Sequence, residues 1–169
     1  MSTVTITAAD INKLRQMTGA GMMDCRKALT ENNGDFDAAI DWLRKKGQKV
    51  AALRGDRDAK EGVVLAKTTS DNKSGIALCL SCETDFVSKN ADFIAFAQSI
   101  MDTAIANNVK SVDELNAASI NGAKIADLVN DKLASIGEKI GISKFERVDA
   151  DFVASYIHGA NRKIGRAHV

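Results

Sequence analysis

Proline is absent from the 169 residues, and one tryptophan, one tyrosine and six phenylalanines bring the aromatic share to only 5%. So few rings leave few platforms on which single-stranded nucleic acid could stack. No apolar run of about 18 residues or more occurs, so no helix is expected to cross a membrane. The first residues, Met1-Ser2-Thr3-Val4-Thr5, lack the basic and apolar regions of a signal peptide and the arginine-rich pattern of a transit peptide, and a cytoplasmic location is expected. Cysteines number three, Cys25, Cys79 and Cys82, an odd count that argues against a disulfide framework. Charge of one sign is lacking too. With 23 basic and 22 acidic side chains the formal net charge is +1, which excludes a general polyanion-attracting field and leaves room only for a local patch.

Catalytic patterns are equally scarce. The chain has no G-x-S-x-G, no Walker A, no D-F-G and no H-E-x-x-H, and its two histidines, His158 and His168, stand apart from any ligand spacing. Cys79-Leu80-Ser81-Cys82 has C-x-x-C spacing, but on a strand an odd step sends the two sulfurs to opposite faces. Both then read as small buried hydrophobes, as does Cys25. Gly19-Ala20-Gly21 lacks the preceding strand and the further glycine of a phosphate loop, so a helix–helix turn is the better reading. The carboxylates of Asp35-Phe36-Asp37 and Asp149-Ala150-Asp151 are explained by capping and solvated surface. No cofactor and no bound metal are expected, and an enzyme is disfavoured.

What is present divides into a front part, residues 1–47, a basic linker, 48–60, and an α+β remainder, 61–169. The front part reads as three short helices. Thr7 caps the first, whose apolar stripe is Ile11, Leu14 and Met17. The second carries Met22, Cys25, Ala28 and Leu29. Asn33-Gly34-Asp35 ends it and caps the third, with Phe36, Ala39, Ile40 and Leu43 on one face and Gly47 as the stop. The linker is rich in Lys and Arg and is expected to be helical in part through Val50 to Leu53. Period-two runs then predict an antiparallel hairpin, Val63 to Ala66 and Ile76 to Cys82, turning at Asp71 to Gly75, with Ile76, Leu78, Leu80 and Cys82 on one face. Further helices follow: Phe93, Ala97, Ile100, Met101 and Ala104 on one stripe, a capping box at Ser111 to Glu114, and a stripe of Ile125, Leu128, Val129, Leu133, Ile136 and Ile140. Ile142 to Val148 and Phe152 to Ile157 are expected strands.

Two features stand out. Met22-Met23 begins a helix too small to take both thioethers inside. Met22 as core with Met23 at its edge, and the pair as an adaptable partner surface, are evenly matched readings. Thr84-Asp85-Phe86-Val87 lies between a strand and a helix. Residues alone favour capping by Thr84 or Asp85 and a stapling Phe86 over an exposed wedge.

The run from Arg15 to Leu29, centred on Thr18-Gly19-Ala20-Gly21-Met22-Met23-Asp24-Cys25, resembles the N-terminal signature of the elongation factor Ts family. Asn33-Gly34-Asp35, Ala38-Ala39-Ile40 and Leu43-Arg44 continue it. Cys82-Glu83-Thr84-Asp85-Phe86-Val87 resembles the second signature, and Tyr156-Ile157-His158-Gly159 with Lys163-Ile164-Gly165 a third, in family order across nearly the whole chain. The resemblance implies a ubiquitin-associated-like three-helix bundle ahead of half of the family's α+β core. It implies a guanine-nucleotide exchange factor whose partner is the G domain of the GTPase elongation factor Tu. Thr84, Asp85, Phe86 and Val87 would form the wedge, and Met22, Met23, Leu14 and His158 would make further contacts. The family continues past Gly165, so a C-terminal truncation is expected, with Ile164 to Val169 as sequencing-adapter read-through. The alternative is a helix-binding or ubiquitin-associated-like module without exchange activity. A thiol enzyme using Cys79 and Cys82 ranks third.

Overall fold

A computed structural model describes residues 5–155, the side chain of Ala51 excepted. The chain divides into two compact units, Met1–Asp56 with Leu128–Glu138, and Arg57–Asp127 with Lys139–Val169.

The first unit holds α1 (Ala8–Thr18), α2 (Met22–Glu31) and α3 (Phe36–Leu53). Thr7 caps α1 through a full capping box: its hydroxyl accepts from the Asp10 amide, and the Asp10 carboxylate accepts from the Thr7 amide at 3.0 Å. Gly19 ends the helix in the left-handed region at φ 68°. Asn33 and Gly34 make the α2–α3 turn at φ 53° and 80°, and Asp35 Oδ1 accepts the Ala38 amide at 2.9 Å. The core is Leu14, Ala20, Cys25, Ala28, Leu29, Ala39 and Leu43, with Ile6, Ile11, Phe36, Ile40 and Trp42 packed around it.

Two front-end expectations are corrected. Met17 does not complete the α1 stripe; it is exposed, because the helix turns its Leu14 side to the core and ends one residue later. Gly47 does not stop α3, which runs on to Leu53. Gly47 is buried, and a Cβ there would stand 2.7 Å from that of Ala134, in α7 (Ile125–Ile136) and in the same unit. Its glycine serves close helix approach instead of termination.

The second unit carries β1 (Glu61–Thr68), β2 (Ser74–Cys82), the single turn α4 (Asp85–Ser88), α5 (Ala91–Ala106), α6 (Val112–Ala117), the short hairpin β3 (Ser119–Ile120) and β4 (Ala123–Lys124), and β5 (Gly141–Asp149). The α+β expectation holds: the sheet is antiparallel, ordered β1-β2-β5. β2 is central, and Ile76, Leu78, Leu80 and Cys82 are buried on one face together with Val63 and Phe145. α5 buries the predicted stripe Phe93, Ala97, Ile100, Met101 and Ala104, and it touches β1 and β2. Gly62 in β1 admits a close backbone, since a Cβ there would meet the Leu80 carbonyl oxygen at 2.5 Å.

Two further differences concern the last elements. The stripe read through Ile140 ends as helix at Ile136, because Gly137 adopts φ 79° and donates to Leu133 O at 2.8 Å; Ile140 is buried from the loop before β5. The strand expected from Phe152 leaves only a bridge at Ala154 among the described residues, Val153 being tied by its amide to Asn72 O at 2.6 Å. Ile157 lies outside them.

Candidate functional site

The central strand β2 ends at Cys82, and the chain turns at once into α4. Thr84 occupies the N-cap position with extended backbone, φ −121° and ψ 154°, but its side chain does not cap. Main-chain bonds close the turn: Ser88 N to Thr84 O at 3.3 Å, Lys89 N to Asp85 O at 3.1 Å and Asn90 N to Val87 O at 3.0 Å. Asn90 then caps α5, accepting from the Asp92 and Phe93 amides at 2.9 and 3.2 Å.

The turn is fastened from below. Cys82 is fully buried, and its Sγ donates to Thr84 O at 3.2 Å. Glu83, largely buried, accepts the Lys139 amide at 2.6 Å and Arg57 Nη1 at 3.1 Å, while Lys139 Nζ donates to Arg57 O at 2.8 Å. Glu83 thereby ties the end of β2 to the segment entering β1 and to the loop entering β5. No local sequence pattern marks this role, because its partners lie 26 and 56 positions away.

Phe86 sits on this fastened turn and is 83% exposed. The stapling reading is therefore corrected: a staple must cover its ring against the helix, and this ring faces solvent. Asp85 and Val87 are half-buried, and Asp85 makes an i,i+4 ion pair with Lys89 at 2.5 Å. A charged group and an uncovered ring share one short turn held by a central strand.

The other unit has a second apolar surface. Met22 and Met23 are 53% and 74% exposed, and Met17, before the Gly19-Ala20-Gly21 turn, is exposed as well. Met22 as core is corrected: α2 faces the core with Cys25, Ala28 and Leu29, leaving its first turn outside. The turn is held by Thr18 Oγ1 donating to Leu14 O at 2.8 Å, by the Ala20 amide on Thr18 Oγ1 at 3.3 Å, and by Ser135 Oγ donating to Gly19 O. Leu14 is completely enclosed, so it supports this surface and presents no face to a partner. His158 lies outside the described residues.

The thiols lead elsewhere. Cys79 and Cys82 alternate on β2, one half-buried and one buried, and all three cysteines are free. Burial pushes the Cys25 thiol up, away from nucleophilic thiolate. Among the described residues no group of three or more His, Cys, Asp or Glu is placed to hold a metal ion. Asp35 acts as a helix cap, and Asp149 pairs with Arg147 Nε at 3.0 Å and accepts from Ser74 Oγ. No described helix is long and apolar enough to cross a membrane.

The family model for elongation factor TS matches residues 83–167, beginning at Glu83. Curated relatives agree. Elongation factor Ts of Christiangramia forsetii is 52% identical over 157 residues, 93% of this chain and 57% of the relative. That of Flavobacterium psychrophilum is 51% identical, covering 94% and 57%, and that of Bacteroides thetaiotaomicron is 50% identical, covering 90% and 46%. The chain thus spans about half the length of the curated relatives it matches. With half of its length matched by the family model, and with the Phe86 turn inside that match, the chain belongs to the elongation factor Ts family.

Proposed function

We propose that this chain is a guanine-nucleotide exchange factor for elongation factor Tu, acting in the cytoplasm by protein–protein contact, with no covalent chemistry, metal or cofactor of its own. The observation that carries this reading is Phe86, 83% exposed on a turn whose base is held by Cys82 and Glu83. A ring that enters a partner without first rearranging its own support loses little ordering entropy on binding.

The energetics follow from linkage. A factor that prefers the nucleotide-free form of a GTPase weakens nucleotide binding by the same factor by which nucleotide weakens its own. Each tenfold acceleration of release requires about 1.4 kcal/mol of preferential stabilisation of the opening transition state. Burying a phenylalanine side chain contributes about 1.5–3 kcal/mol, so Phe86 inserted only in the open form accounts for roughly ten- to hundredfold. Asp85 brings a negative charge beside it, suited to displacing groups that hold the magnesium and phosphates. Thr84 and Val87 shape the turn. Met22 and Met23 supply flexible thioether contact to an apolar helix of the G domain, where polarisable, unbranched side chains adapt well. His158 would add a contact near the nucleotide.

The test is release of a fluorescent GDP analogue from elongation factor Tu, timed against excess GDP, with the parent chain and Asp85→Ala/Phe86→Ala compared. Acceleration by the parent and its loss in the variant is the expected result. Binding that survives the double substitution, with no acceleration by the parent, would make the chain a helix-binding module without exchange activity.

A further inference from the structure

Two Asn-Gly steps occur among the described residues, and the fold treats them differently. Asn33-Gly34 and Asn121-Gly122 have nearly the same backbone, φ 53° and 80° against 52° and 85°. Gly34 is tied: its amide donates to Leu29 O at 2.8 Å, and the flanking amides of Asn33 and Asp35 donate to Thr30 O and Asn32 O at 3.4 and 3.0 Å. Leu29 is fully buried, so opening that turn disturbs the core of the bundle. Gly122 occupies the turn of the β3–β4 hairpin, whose ladder is only Ser119↔Lys124 and Ile120↔Ala123. Asn121 and Gly122 are both exposed, and beyond the adjoining residues no heavy atom lies within 4 Å of where a Gly122 Cβ would stand. Its amide makes no turn or loop hydrogen bond among the described residues.

We propose that Asn121 is a site of spontaneous deamidation in the folded chain and that Asn33, in the same dipeptide, is protected. The Gly122 nitrogen, having lost its proton to solvent base, attacks Cγ of Asn121. A nitrogen–carbon bond forms, the side-chain nitrogen leaves as ammonia after taking a proton from water, and a five-membered succinimide remains. Water then opens one of its two carbonyls, giving aspartate or isoaspartate, with no redox change. Glycine is needed on the following side because it has no Cβ to shield the attacking nitrogen. The left-handed turn must open for attack, and a two-pair ladder opens at little cost, whereas a turn tied into a packed core opens rarely.

The product has consequences for its surroundings. Aspartate at 121 adds a negative charge, taking the formal net charge from +1 to zero. Isoaspartate also inserts a methylene into a two-residue turn, which cannot keep the register Ile120↔Ala123. That ladder positions the bond from Ile125 N to Ala118 O, 2.8 Å, which leads into the buried Ile125 at the start of α7.

The experiment is peptide mapping by mass spectrometry of the full chain during incubation at mildly alkaline pH, folded and in denaturant, with an isoaspartate-specific label as second readout. In the folded chain Asn121 is expected to convert at least about tenfold faster than Asn33, and in denaturant the two should agree within about twofold. Gly122→Ala should suppress conversion at 121 in both states, and Asn121→Gln should remove it while leaving the rates at Asn33 as they are in the parent. Comparable rates at the two sites in the folded chain would overturn the proposal, as would an unreactive Asn121 in a chain that deamidates normally when denatured.

Discussion

Gly47 faces Ala134 so closely that a Cβ at position 47 would stand 2.7 Å from the alanine's own. The same Cβ would lie 3.5 Å from Asn130 O, so the crowding comes from one methyl group and not from the backbone. In an isolated helix glycine is worse than alanine by about 1 kcal/mol. Here close packing reverses that preference. Gly47→Ala should lower stability by roughly 1–3 kcal/mol in urea denaturation. Adding Ala134→Gly should recover much of the loss, whereas additive losses would show that the two positions do not compete for space.

Leu14 and Met23 separate support from contact. Leu14 is wholly enclosed, and Leu14→Ala should cost about 2–5 kcal/mol of stability. Met22→Ala/Met23→Ala removes exposed groups and should shift stability by no more than about 0.5 kcal/mol per site, while weakening binding to elongation factor Tu. Thermal denaturation and a titration against the partner check both. Unchanged affinity in the double variant would remove the methionines from the contact.

Glu83 holds the base of the Phe86 turn through Lys139 N and Arg57. Glu83→Ala leaves the Lys139 amide without its carboxylate and should cost roughly 1.5–3 kcal/mol. Glu83→Gln keeps an acceptor oxygen for that amide and should lose less. Under conditions where both variants are folded, nucleotide release should slow in the order parent, Gln, Ala. Equal release rates would confine Glu83 to folding alone.

The capping box makes the first helix sensitive to acid. The Thr7 hydroxyl, and after it the Thr7 amide, hold the Asp10 carboxyl below its usual range. A depressed folded-state pKa means that the unfolded chain binds the proton more readily. The contribution is therefore present above the ordinary aspartate value and lost as pH falls through the lower folded value. Asp10→Asn should flatten this acid limb in a pH series of melting temperatures. A parallel limb in parent and variant would show that other carboxylates carry it.

Much of this was legible because it rests on local chemistry. Thr7 before α1, Asn33-Gly34-Asp35 and Ser111 before α6 are short-range arrangements, and each takes the conformation its side chains favour. Periodicity likewise marked the buried stripe of α5 and the inward face of β2, since burial repeats with the geometry of the element. Residues alone singled out positions 84–87 and Met22-Met23, but not the direction in which those side chains face.

Direction and neighbours belong to the tertiary structure. Residues alone favoured a stapling Phe86, but the short α4 closed by main-chain bonds leaves its ring outside. Met17 and Met22 fit apolar stripes, yet three small helices enclose only a limited volume, already filled around Leu14, Cys25 and Leu29. Gly47 looked like a helix end until Ala134, 87 positions onward, explained it. Composition and spacing determined the larger helices and the β1–β2 hairpin, because those choices are made within a few residues. Which faces close, which side chains remain in water, and that β5 lies beside β2 were decided by contacts distant in sequence, where packing outweighs local preference.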